Sequence, residues 1–189
     1  MSCLLSNKQK KTTGNMSKVL MILAHPNIGN SIGNKIISSK IAQQKNTEVR
    51  HLNTLYPNFK IDIEAEQQAL LKADTIIFQF PLFWYSTPGI LKEWIDQVLL
   101  YGFAFGTNSK LTNKKLIISF TIGSPIKDYP KEIIDKITFP FQGLAKYCKI
   151  DYVGEIFSSD INAYTEEAKG NAISNANKHT QQLLELIKQ

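Results

Sequence analysis

Val19-Leu20-Met21-Ile22-Leu23-Ala24 is an unbroken apolar run that stops at His25-Pro26. Such a run suits a strand buried on both faces, as parallel sheets require, rather than the alternation of a half-solvated strand. Thr75 to Phe80, ending at Pro81, and Leu116 to Thr121 read the same way, and Thr47 to Asn53 and Tyr152 to Phe157 complete a set of five. Helical patterns fill the intervals. Ser31 to Gln44 places Ile32, Ile36, Ile37 and Ile41 on one stripe, and Asp62 caps a helix running to Ala73. Thr87 and Pro88 read as a cap and a first-turn proline for the stripe Ile90, Leu91, Trp94, Ile95, Val98 and Leu99. A helix is expected around Gln142 to Tyr147, and a long one from Thr165 to Lys188. Strands alternating with helices predict one α/β domain over residues 16–189, a doubly wound five-stranded parallel sheet of order 2-1-3-4-5.

Composition narrows the function. With 189 residues and 43% hydrophobic content, the chain can bury a full core without disulfide or metal staples. The two cysteines, Cys3 and Cys148, have no paired spacing, so neither a disulfide scaffold nor a thiolate zinc site is expected, and a reducing cytoplasm is. No apolar run is long enough to span a membrane. The net charge is 22 − 16 = +6, half of it from Lys8, Lys10 and Lys11. Arg50 is the only arginine, whereas base reading and phosphate gripping draw on arginine's planar fork, so no nucleic-acid partner is expected. Residues 1–15 are polar and aperiodic and read as a disordered or spurious tail rather than a secretory signal.

Ligands of open α/β sheets sit beyond the carboxyl ends of the strands, where strand order reverses. Three loops of this chain fall there. The first, from His25 through Ser31, Ile32, Gly33 and Asn34, is polar and leads into a helix start suited to phosphate. The second, Pro81-Leu82-Phe83-Trp84-Tyr85-Ser86, sets large apolar groups in a turn where small polar ones are usual, a ledge for a planar ligand. The third, Thr121-Ile122-Gly123-Ser124, offers backbone N–H groups to developing negative charge. Gly29-Asn30-Ser31-Ile32-Gly33 also fits the G-x-S-x-G elbow of serine hydrolases, with Asp160 and His179 in triad order. That elbow must turn directly from strand to helix, but here the strand stops at Ala24 and His179 lies within a helical pattern, so a hydrolase is set aside.

These residues carry a resemblance. Ala24-His25-Pro26 with Ser31 and Asn34, Leu55-Tyr56-Pro57-Asn58-Phe59 through Gln67, and above all Gln79 to Pro88 continuing to Gly102-Phe103-Ala104-Phe105-Gly106 are similar to the flavodoxin-like NAD(P)H:quinone oxidoreductases. That family includes DT-diaphorase and the modulators of drug activity, and within it the chain most resembles the ancillary oxidoreductases of glutathione-gated potassium efflux systems. The resemblance implies a flavin, FMN with FAD as the alternative, and NADPH or NADH as co-substrate. It implies that His25, Ser31, Ile32, Gly33 and Asn34 hold the ribityl phosphate, and that Pro81, Leu82, Phe83, Trp84 and Tyr85 line the ring. Thr121, Ile122, Gly123 and Ser124 would meet the ring's electron-accepting edge, and Tyr129 would be the catalytic tyrosine over it.

The implied reaction is ping-pong: hydride from the nicotinamide to the flavin, then two electrons to a quinone-like acceptor. The family's third-loop pattern is Thr-Thr-Gly-Gly, where this chain has Ile122 and Ser124, and the histidine that some members place after the tyrosine is absent between His51 and His179. A cytoplasmic homodimer, at times peripheral to the inner membrane face, is expected, with the aromatic stretch Tyr101 to Phe105 at its contact. Two other readings are a regulatory subunit that binds a potassium-efflux antiporter and a one-electron flavodoxin carrier, although carriers tend to be acidic and this chain is basic.

Overall fold

A computed structural model describes residues 17–189. The expected tail at 1–15, Met16 and Cys3 lie outside the described residues. Five parallel strands, β1 (Val19–Leu23), β2 (Thr47–His51), β3 (Thr75–Pro81), β4 (Lys115–Thr121) and β5 (Asp151–Ser158), form one sheet in the order β2-β1-β3-β4-β5. Side chains alternate across it, so the central strands β1, β3 and β4 each feed two cores. Ile76, Phe78 and Phe80 of β3 join the core beneath α3 (Ile63–Lys72), α4 (Gly89–Val98) and α5 (Lys131–Cys148). Ile77 joins the smaller core under α1 (Gly33–Ala42) and α6 (Glu166–Ile187). Phe80, Phe120 and Phe157 stack across β3, β4 and β5 with ring centroids 5.7 and 5.3 Å apart, stiffening the strand ends that carry the loops.

The strand order and the cap at Asp62, whose side chain accepts the Ala65 N–H, match the sequence reading; Thr165 likewise caps the terminal helix, its hydroxyl accepting the Ala168 N–H. Several boundaries do not. The second strand ends at His51, and Leu52–Leu55 turn into a short helix, α2, because Leu52 buries fully against the main core. Helix α1 begins at Gly33 rather than Ser31, since Ile28–Asn30 form a tight 3-10 turn and Ser31 stays extended. Thr87 does not cap α4: Pro88 occupies the cap position in an extended conformation with no side-chain hydrogen bond.

The largest difference is α5, which begins at Lys131 instead of near Gln142 and runs through Pro140. A mid-helix proline costs roughly 3 kcal/mol. Ile134, Ile137, Phe141, Ala145 and Cys148 all bury from this one helix, and at roughly 1.5–3 kcal/mol for each large side chain their burial outweighs that cost. Lys149, left-handed at φ 56°, then ends it. Among the described residues no helix is long and apolar enough to cross a membrane.

Candidate functional site

The loops after β1, β3 and β4 converge, as the strand order requires, on one cavity of about 310 Å³. His25, Ser31, Ile32 and Asn34 line it from the first loop, Pro81, Leu82 and Phe83 from the second, and Thr121 and Gly123 from the third. Such a volume falls at the lower end of small-molecule sites.

The first wall is rich in donors. The N-cap position of α1 is Ile32, which offers no side-chain cap, so the opening N–H groups of the helix are left without a side-chain acceptor. Ser31 therefore does not act as an ordinary cap. An uncapped N-terminus with a hydroxyl beside it is suited to an anion. Gly33 is packed so closely that a Cβ there would lie 2.6 Å from Ile161 Cγ2 and 3.2 Å from Thr121 Cγ2. His25 accepts the Asn27 N–H on Nδ1 (3.1 Å), which leaves Nε2 as the ring's donor. Burial, and secondarily the neighbouring His51, hold its pKa below the usual histidine value, so the ring is neutral at pH 7.

The second wall is a strained aromatic turn. Phe83 and Ser86 exchange two backbone hydrogen bonds (3.0 and 2.9 Å) across Trp84 and Tyr85, both left-handed at φ 48° and 61°. Asn-Gly normally fills such a turn, and an aromatic pair there stores roughly 1–3 kcal/mol per residue. The strain displays Trp84, which is 94% exposed, at the cavity's edge in sequence. Tyr85 does not line the cavity; it faces the neighbouring groove between α4 and α5, with its ring 5.6 Å from that of Tyr129. Trp84, Ser124 and Tyr129 also lie outside the cavity wall, and Gly33 and Ile122 support it from behind, Ile122 being fully buried.

The third wall is locked by a segment that the sequence reading missed. Ile161, Asn162 and Ala163, just after β5, complete the cavity. The N–H groups of Asp160 and Ile161 and the Asn162 amide donate to the carbonyls of Ser124, Ile122 and Gly123 (3.1, 3.0 and 3.1 Å). Those carbonyls are thereby turned away, and the Gly123 and Ser124 N–H groups have no protein acceptor among the described residues. The strand order itself carried this signal, since β5 neighbours β4 and its following loop had to lie beside the third. The same geometry removes the hydrolase triad: His179 is buried in α6 and bonded to Ser119 and Ser158, not to Ser31 or Asp160.

Comparison with known proteins agrees with this architecture. The family described as "Flavodoxin-like fold" matches residues 17–184. YrkL of Bacillus subtilis, named an uncharacterized NAD(P)H oxidoreductase, is 42% identical over 136 residues, 69% of this chain and 78% of that one. The glutathione-regulated potassium-efflux system ancillary protein KefF of Enterobacter sp. is 38% identical over 141 residues, 71% and 79% of the two chains. Among solved structures, general stress protein 14 of Treponema denticola in complex with FMN superposes with a TM-score of 0.80 at 33% identity, covering 89% of this chain and 99% of that one. An NADPH-quinone reductase of P. pentosaceus gives 0.71 at 27% identity, covering 86% and 97%.

Proposed function

The chain belongs to the family with the flavodoxin-like fold, and from that membership we propose that it is a flavin-dependent NAD(P)H oxidoreductase passing two electrons to a quinone or similar acceptor. The observation that carries this reading is the meeting, in one cavity, of an uncapped helix start, the Pro81–Phe83 end of an aromatic turn and the loop at Gly123 with its spare N–H donor. The FMN-bound relative and the oxidoreductase names of the others support it. FMN is the form we propose, with NADPH or NADH as reductant.

The residues suit a phosphate-bearing planar ring. Ser31 and the N–H groups opening α1 would hold the phosphate, with His25 Nε2 and Asn34 beside it. Pro81, Leu82 and Phe83 would line the ring, and Trp84 and Tyr85 would flank it from the strained turn. When bound, the flavin supplies the ring that takes up and gives back hydride. The chain's own work is alignment and polarity. Gly123 and Ser124 would present N–H donors where negative charge builds, and the fixed loops exclude water from one ring face. Tyr129, held against Tyr85, would order the nicotinamide or quinone above the ring.

The likeness to KefF supports a second role, docking on a potassium-efflux antiporter, which would bring the protein to the inner membrane face from the cytoplasm. Tyr101 and Tyr147, each about 70% exposed at the α4–α5 groove beside Phe105, would serve a homodimer contact. The reaction is tested by mixing the FMN-loaded protein anaerobically with NADPH and then with a quinone. The flavin absorbance should bleach with NADPH and return with the quinone. Failure to bleach contradicts the enzyme reading; bleaching with no return contradicts the acceptor class.

A further inference from the structure

Gln79 lies in the middle of the sheet, Ser119 beside it on β4, and His179 above both in α6; all three are fully buried. The cavity uses none of them directly. They form a continuous chain of side-chain hydrogen bonds that ends at the cavity wall. Asn34 Nδ2 donates to Thr121 Oγ1 (2.8 Å), and Asn34 Oδ1 accepts from Gln79 Nε2 (2.8 Å). Gln79 Oε1 accepts from the Ser119 hydroxyl (2.5 Å). Having spent its one proton, Ser119 can only accept from His179 Nε2, 2.7 Å away. A neutral imidazole protonated on Nε2 has a bare Nδ1, which accepts from the Ser158 hydroxyl at 3.0 Å.

Each link fixes the direction of the next, and the direction has a consequence at the far end. Thr121 Oγ1 is occupied as an acceptor, and its own proton finds no protein acceptor among the described residues. We propose that His179, acting through Ser119, Gln79 and Asn34, is a positioning residue that holds the Thr121 hydroxyl as a hydrogen-bond donor into the cavity, selecting a ligand atom with a free lone pair such as a carbonyl oxygen or an unprotonated ring nitrogen. This rests on the flavin-site reading of the cavity. Desolvation drives the His179 pKa down to about 4, which keeps the ring neutral and the chain one-directional near neutral pH.

The opposite direction is weaker at its far end. It would require His179 to carry its proton on Nδ1, Ser158 to donate to the Asn175 carbonyl at 3.5 Å, and both amides to turn over, making Thr121 an acceptor. The two directions differ by one tautomer, which is measurable.

The test has two arms. In the unliganded protein, long-range ¹H–¹⁵N correlation spectra of the histidines at pH 7 should show His179 protonated on Nε2 and bare on Nδ1. An Nδ1–H tautomer or an imidazolium overturns the proposal. In the second arm, FMN affinity is measured for Ser119→Ala, Thr121→Val and the double variant. Each single change should weaken binding about tenfold, the loss of one hydrogen bond with its partner stranded, and the double variant should be no weaker than Thr121→Val. No effect of Ser119→Ala, or a double variant weakened by the product of the two, overturns it. If the wild type does not bind FMN at all, the flavin reading fails, while the tautomer arm still judges the chain.

Discussion

On opposite faces of the same sheet sit two buried polar clusters built on different electrical terms. Under α3 and α4, the fully buried Glu66 carboxylate accepts Arg50 Nε (2.8 Å) and the Tyr56 hydroxyl on one oxygen, and Trp94 Nε1 (2.9 Å) on the other. Arg50 adds an ion pair at 2.7 Å, and beside Glu66 its pKa lies above the normal range. This cluster carries full charges, saturates its acceptor and runs out only to the surface, where Arg50 Nη1 donates to the half-exposed Glu48 (2.9 Å). Under α1 and α6, the chain from Ser158 to Thr121 carries no charge and leaves one proton at a cavity wall. A charged cluster with its acceptor saturated ties elements together, whereas a neutral chain with one spare proton transmits an orientation. The same sheet therefore separates holding the fold from presenting the site.

Removing Glu66 should produce the largest effect. Glu66→Ala leaves Arg50 only the half-exposed Glu48, strands the buried Tyr56 and Trp94 donors and should lower stability by roughly 3 kcal/mol, read from urea unfolding, while FMN affinity in the folded fraction stays unchanged. A comparable loss of affinity would erase the contrast between the two clusters.

Acid should act on the other cluster. His179 stays neutral in the fold down to about pH 4, whereas in the unfolded chain it takes a proton near 6.5. Its contribution is therefore complete above pH 6.5 and shrinks as the pH falls toward 4, by roughly 3 kcal/mol over that window. The stability gap between wild type and His179→Gln, followed by urea midpoints from pH 7 to pH 4, should move by that amount in favour of the variant. A gap independent of pH would mean the imidazole is not held neutral.

The smallest effect belongs to Gly33. In Gly33→Ala the new methyl meets Ile161 and Thr121, both on the cavity wall, while a helix start gains from alanine. Stability should fall by about 1 kcal/mol, and FMN affinity should fall about tenfold by fluorescence titration as the wall shifts. Unchanged affinity would place the ligand away from α1.

The contrast also explains what the sequence made legible. Strand order followed from buried runs such as Val19–Ala24, because a sheet covered on both faces leaves a continuous apolar record. The three loops followed from that order. Helix α5 did not, because Pro140 conceals a helix whose stability comes from tertiary burial. The Ile161–Ala163 wall was missed because it is locked through the backbone N–H groups of Asp160 and Ile161, which any residue type can supply, with one amide from Asn162. The neutral chain was visible only as isolated polar letters, Gln79, Ser119 and Thr121, in apolar runs. Cross-strand pairing of Gln79 with Ser119 had to be known before they became neighbours.

In the proposed function the cavity seats a flavin with its phosphate at the start of α1. The most direct test is the ratio of affinities for FMN and riboflavin, which differ only in that phosphate, by fluorescence titration of the flavin-free protein. Two or more charge-assisted hydrogen bonds from uncapped N–H groups and Ser31 predict that FMN binds at least about a hundredfold tighter. Equal affinities, or no saturable binding of either, would contradict the claim.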